Sequence, residues 1–220
     1  MPTLNKAEKI KGPTNYEAAL AAARARLAGA DVAVQARRIG GVVEEREDGT
    51  RVVRLSCMGA AYRVGLPDGA VYRDDGAPVG TFVEILILHA LLSHTGRRPS
   101  GRWIAFSDIP DGLLYGSVYE KRTARRLARA LSGADDLLVA VAGRLGGNEA
   151  ALGGDASVVV EPFEGIPVGI VFWRGDDDFS PAVTFLYDDT ITEIFPAEDV
   201  VVLTQCLIEE IIAILREKAP

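Results

Sequence analysis

The sequence predicts an α+β fold, with one or more antiparallel sheets packed with a buried central helix and a long C-terminal helix. Two observations place the strands. β-branched runs fall into two groups, residues 42–71 and 157–187, each interrupted by short turns rich in Gly, Asp and Pro. Connections that short leave no room for the crossovers a parallel sheet requires. A third observation places the helices: they precede, separate and follow the two strand groups instead of alternating with single strands.

Along the chain, residues 1–13 read as a polar, flexible N-terminal arm, and residues 14–220 as a single α+β domain. Thr14-Asn15 offers an N-cap for the alanine-rich helix from Tyr16 to Leu27, which Gly29 ends; Asp31 caps a shorter helix to about Arg38. From Val42 to Val71 the runs VVEERE, RVVRLSC and AAYRVGL are separated by Asp48-Gly49 and Pro67-Asp68-Gly69, a meander with hairpin turns. Gly80 to His94 is apolar nearly all round, which marks a buried helix and not a surface one. Trp103 to Phe106 reads as a short strand. A helix from Val118 to Leu131 carries the basic run Lys121, Arg122, Arg125, Arg126 and Arg129 on one side and Leu127 and Leu131 on the other, and another helix spans Ala134 to Leu145. Three strands follow at Ser157–Glu161, Val168–Trp173 and Val183–Tyr187. The last helix runs from about Ala197 to Lys218. Its stripe of Val200, Leu203, Leu207, Ile211 and Ile214, widened by Val202, Cys206 and Leu215, demands a partner surface.

Composition narrows the function. A chain of 220 residues is long enough to bury a core without disulfide or metal staples. A formal charge of −7 and a pI near 5.0 argue against nucleic acid and anionic membrane as partners, both of which are gripped through Lys and Arg, although local basic runs survive that objection. The longest apolar run, Phe82 to Leu92, is too short to cross a bilayer, which takes ~20 helical residues. The two cysteines, Cys57 and Cys206, build neither a disulfide framework nor a four-thiolate metal site. With an N-terminus lacking the apolar core of a secretory signal, this points to the cytoplasm. No Gly-x-Ser-x-Gly elbow, Walker sequence, His-Glu-x-x-His or Gly-x-Gly-x-x-Gly opening a helix is present.

Candidate sites remain. In VFWRGDDDFSPAVTFLYDD, residues 171–189, five aspartates surround a Trp, a Gly and a Pro. Spacing excludes a calcium loop, because Pro181 and Tyr187 stand where a turn glycine and a bidentate Glu are needed. Asp176 and Asp178 can hold Mg²⁺, or Asp176 can cap a solvated turn for which Gly175 supplies backbone freedom. A hairpin centred near Asp178–Phe179 sets Trp173 opposite Thr184 and sends Asp188 to the far end, so Asp188-Asp189 serves a second turn before Ile191. His89, on the buried helix, needs a partner: a tetrapyrrole metal, or a backbone carbonyl or carboxylate. Trp103, Phe106, Tyr115 and Trp173 line such a flat pocket or else fill the core. The basic run from Lys121 binds a phosphate or propionate, or is a solvated face.

Three segments together resemble a known family: Leu88-His89-Ala90-Leu91-Leu92; Gly101-Arg102-Trp103-Ile104-Ala105-Phe106-Ser107-Asp108-Ile109-Pro110-Asp111-Gly112; and Trp173-Arg174-Gly175-Asp176-Asp177-Asp178-Phe179 with Leu186-Tyr187-Asp188 and Glu198-Asp199. In this order and spacing the chain resembles the prokaryotic family called domain of unknown function 3786. The resemblance implies anaerobes and the neighbourhood of corrinoid or one-carbon redox chemistry, since some members carry an added four-cysteine iron–sulfur domain. The two cysteines of this sequence do not build such a domain. Three functions are therefore expected in order. The first is a cofactor-binding or accessory protein for a tetrapyrrole, corrinoid or heme, using His89, Trp103, Tyr115 and Trp173, with an iron–sulfur or corrinoid protein as partner. The second is a Mg²⁺ enzyme acting on a phosphorylated substrate through Asp176 and Asp178. The third is an interaction subunit without a small ligand.

Overall fold

The computed structural model describes residues 13–218, so the expected N-terminal arm lies outside the described residues, except for Pro13. Pro13 already opens the first helix, α1 (Pro13–Ala28), ahead of the expected Thr14-Asn15 cap. Proline suits a first helical position, where its missing N–H would find no intrahelical acceptor. α2 (Val32–Arg38) follows, capped by Asp31, whose side chain accepts from Val34 N–H.

The first strand group forms a four-stranded antiparallel sheet of β1 (Val42–Glu45), β2 (Arg51–Cys57), β3 (Ala60–Leu66) and β4 (Val71–Arg73), in sequence order. From Val53 to Cys57 in β2, and around Tyr62 and Val64 in β3, buried residues alternate with more exposed ones, as one covered face requires. Between β2 and β3 the two turn residues Met58 and Gly59 both have positive φ, 51° and 76°, the twist a two-residue hairpin favours.

α3 (Thr81–Ser93) is the central helix, with Leu86, Ile87, Leu88, Ala90 and Leu91 at 1% exposure or less. It packs against α1, α2 and α7 (Ala197–Lys218). The second sheet, in the order β5-β9-β8-β7-β6, is antiparallel throughout. β5 is Trp103–Ala105, β6 Asn148–Glu149, β7 Ala156–Phe163, β8 Ile166–Trp173 and β9 Ala182–Asp188. β8 is buried from Ile166 to Phe172, as a central strand covered on both faces must be. Where Pro162 interrupts β7 the ladder shifts register, and the freed Pro162 carbonyl accepts from Met58 N–H at 2.8 Å, joining the two sheets. One hydrophobic cluster runs through both sheets and the helices.

The expected helix over Val118–Leu131 is instead two: α4 (Gly112–Arg122), which begins earlier behind the left-handed Asp111, and α5 (Ala124–Leu131). Thr123 breaks them. It is fully buried, and its hydroxyl donates to the Tyr119 carbonyl at 2.6 Å. The stretch from Ala134 to Leu145 is likewise a single 3₁₀ turn, Asp135–Leu137, leading into a shorter α6 (Leu138–Arg144). α7 has the expected bounds. Val200, Leu203, Leu207, Ile211, Ile214 and Leu215 of its stripe are buried, while Val202 and Cys206 are half-buried.

A buried hydroxyl chain ties α4, β9 and α7 together. Thr204 donates to the Val200 carbonyl, so it accepts from Tyr187, which in turn accepts from Tyr119; both of these contacts are 2.6 Å. Burial pushes the Tyr119 phenol up to about 12 and the Tyr187 phenol well above its ordinary value.

Candidate functional site

The aspartates of the long β8–β9 turn are held by local backbone. Asp176 Oδ1 accepts from the N–H groups of Asp178 at 2.9 Å and Phe179 at 2.7 Å, an Asx turn, and all three aspartates 176–178 are exposed. Among the described residues no three His, Cys, Asp or Glu side chains are grouped to hold a metal ion. The register across this turn places Trp173 opposite Ala182, not Thr184, which faces Val171. The turn is centred one residue earlier than expected, and a one-residue shift of a hairpin's centre moves the pairing by two.

His89 is half-buried, with Nδ1 2.7 Å from Asp199 Oδ2. Its partner is therefore a carboxylate, seated in the first turn of α7 where the helix dipole favours negative charge. Trp103 pairs with Asp188 at one end of β9 and Trp173 with Ala182 at the other, about 20 Å apart at the ordinary strand rise. The Trp103 ring lies within ordinary contact distance of where a Gly169 side chain would begin, a space that Leu152 fills, and Tyr115 is half-buried on α4. His89, Trp103, Tyr115 and Trp173 thus do not converge on one pocket that a flat macrocycle enters. In the basic run, Arg126 makes a two-pronged pair with Glu209, and Arg125 reaches Glu120 at 3.0 Å.

The opposite end of β9 is built differently. Asp188 is 1% exposed and accepts from Ser100 N–H (3.0 Å), Gly101 N–H (2.7 Å), Thr190 N–H (3.1 Å) and the Thr190 hydroxyl (2.6 Å). Burial alone would raise its carboxyl, but the hydrogen bonds from Thr190, Ser100 and Gly101 outweigh burial and hold it below the usual carboxylate value. Asp189 accepts from the Ser100 hydroxyl at 2.6 Å and from Arg102 Nε at 2.7 Å. The expected second turn before Ile191 is present as the 3₁₀ turn Asp189–Glu193. Beyond making that turn, the pair fastens the loop that leaves α3.

That loop forms one wall of a cleft of about 400 Å³. Arg37 and Arg38, in the last turn of α2, form a second wall; Arg97 and Arg98 stand on the loop, and the two-residue β7–β8 turn Glu164-Gly165 closes a third side. Gly40 sits at the α2 C-terminus with φ 66°, and a Cβ there would lie 1.8 Å from Glu164 Oε2, so only glycine lets the Glu164 carboxylate lie against α2. Arg97 pairs with Glu193, and Arg38 lies 3.5 Å from the Gln35 side-chain oxygen. Arg37, Arg98 and Glu164 make no side-chain hydrogen bond or ion pair among the described residues.

His94, the residue that ends α3, lines the cleft at 2% exposure. Its Nδ1 accepts from Gly96 N–H at 3.0 Å, which leaves the neutral ring's proton on Nε2. Nε2 is buried beside Gly165, whose Cβ would stand 3.3 Å away, and has no hydrogen-bond partner. The Glu164 backbone carbonyl lies on that side and raises the ring's basicity without meeting hydrogen-bond geometry. Burial is the main influence and keeps the imidazole below its ordinary pKa; Arg38 acts in the same direction, and Glu164 opposes them. A buried N–H left unpaired costs about 1–3 kcal/mol. Sequence reasoning passed over this cluster. Its signals were the doublets Arg37-Arg38 and Arg97-Arg98 and a Glu-Gly turn, each unremarkable until the fold brings them together.

A second, more apolar hollow of about 250 Å³ lies between α4 and the edge of β9, beside Phe106 and Tyr119. Neither hollow is lined by His89, Trp103, Tyr115 or Trp173.

A family model described as domain of unknown function (DUF3786) matches residues 31–210. No curated protein and no solved structure matches the chain.

Proposed function

Because the chain belongs to the DUF3786 family over the stretch that builds the whole arginine-lined cleft, we propose that it is a cytoplasmic ligand-binding protein that takes a small anion there. The observation that carries the reading is His94 Nε2–H, a buried donor that meets no hydrogen-bond partner, on a side chain that lines a cleft with four arginines. Arginines alone would not suffice. Those in the last turn of α2 also complement the helix dipole, and exposed guanidinium groups are ordinarily solvated.

The division of labour follows from the groups. Arg37 and Arg98, free of ion pairs among the described residues, supply charge and forked donors suited to oxyanions. His94 supplies one donor of fixed direction. The Asp188 and Asp189 contacts hold the loop carrying Arg97 and Arg98 before any ligand arrives, which lowers the ordering cost of binding. A volume of about 400 Å³ suits a small metabolite. The reading stays within the cofactor-binding or accessory class expected from the sequence, and moves the site from His89 to His94. No helix among the described residues is long and apolar enough to cross a membrane.

Calorimetric titration with inorganic phosphate at constant ionic strength tests this. Saturable binding is expected, accompanied by a rise in Tm. The double variant Arg37→Ala/Arg98→Ala should weaken it about 100-fold, the loss of two charge-assisted hydrogen bonds. If neither phosphate nor sulfate gives heat or raises Tm, or if the double variant binds as the parent does, the reading is wrong.

A further inference from the structure

Resting on the reading of the cleft as an anion site, we infer that its ligand is a phosphate monoester whose organic part bears a hydroxyl or amine next to the phosphoryl group. His94 and the arginines hold the phosphoryl oxygens, and Glu164 accepts from the neighbouring donor. Two features of the cleft lead there.

The first is the direction of the donors. They come from three separate elements: Arg37 and Arg38 from α2, His94 from the end of α3, and Arg97 and Arg98 from the following loop. Every one of these groups only donates, because His94 Nδ1 is already occupied by Gly96 N–H. The part of the ligand that they hold must therefore be acceptor-only. A carboxylate has two oxygens in one plane, which one guanidinium fork can satisfy; a phosphoryl group has three terminal oxygens in tetrahedral directions, matching donors that approach from several walls.

The second feature is Glu164. Its carboxylate lines the same cleft as the four arginines, yet makes no ion pair or side-chain hydrogen bond with any of them. The missing side chain of Gly40 leaves room for it against the α2 wall. A carboxylate so close to a bound dianion repels it unless a donor lies between them. A hydroxyl or amine one or two bonds beyond the ester oxygen supplies that donor, so the site selects such esters over simple anions.

Calorimetry at constant ionic strength with acetate, methyl phosphate and glycerol 3-phosphate, on the full chain and on Glu164→Ala, separates the parts. Glu164 is exposed, so the variant is expected to fold. Methyl phosphate should bind at least tenfold more tightly than acetate, and glycerol 3-phosphate about tenfold more tightly than methyl phosphate. In Glu164→Ala the two esters should bind alike, with methyl phosphate gaining affinity as the repulsion is removed. Acetate binding as tightly as methyl phosphate would overturn the phosphoryl assignment, and equal affinities for the two esters in the parent would overturn the role of Glu164; in both cases the anion site itself stands. Silence from all three probes removes the anion site as well.

Discussion

At one end of β9 the turn over residues 174–181 presents Asp176, Asp177 and Asp178 to solvent; at the other, Asp188 lies beneath Ser100, Gly101 and Thr190 with almost no exposure. Both ends are aspartate-rich, and both aspartates that matter accept backbone N–H groups. They differ in where those donors come from. Asp176 is served by its own turn, two and three residues on, in water that would otherwise solvate the same groups. Asp188 is served partly by a loop from a distant part of the chain, out of water, so its hydrogen bonds compensate for burying a charge and at the same time fix that loop in place. The carboxylate with non-local partners is the one connected to the arginine cleft.

Removing the buried member should have the largest effect. Asp188→Ala leaves the N–H groups of Ser100, Gly101 and Thr190 and one hydroxyl without their acceptor, a cost of about 3–4 kcal/mol, to be read as a fall in Tm and in the midpoint of urea unfolding. A variant as stable as the parent would erase the distinction between the two turns.

Acid sharpens the same contrast. The folded-state carboxyl of Asp188 is held below its usual value, so its stabilising contribution is complete above the unfolded carboxyl pKa of about 3.9 and is lost as pH falls through the lower folded value. The stability gap between the parent and Asp188→Asn should stay constant from about pH 7 to 5 and narrow below about pH 4. Urea unfolding at several pH values measures it; a gap that widens in acid would reverse the sign argued here.

The smallest effect belongs to the solvated turn. Asp176→Ala gives up two hydrogen bonds that water replaces, and should cost no more than about 0.5–1 kcal/mol. A loss as large as that from Asp188→Ala would mean that the exposed turn carries tertiary contacts after all.

Much of the scaffold was legible in the residues. The stripe of α7, the apolar circumference of α3 and the turn signals of the first meander are local patterns of period and turn chemistry, and the elements formed where those patterns lie. The helix expected over Val118–Leu131 was less legible, because Thr123 breaks it only through burial and a side-chain bond to Tyr119. His89 did find a carboxylate, but nothing near it in sequence named Asp199 as that partner.

By itself, the sequence determined the α+β class, the order of its longer strands and helices, the family, and the assignment of Asp188-Asp189 to a second turn, because each depends on residues close together in the chain or on composition. The tertiary structure decided which carboxylate is buried, and that His94, two arginine doublets and Glu164 share one cleft. The physical reason is that a charge or a donor acquires its energy from what surrounds it. Here those surroundings come from α2, the end of α3 and the β7–β8 turn, segments brought together only by packing around the common core.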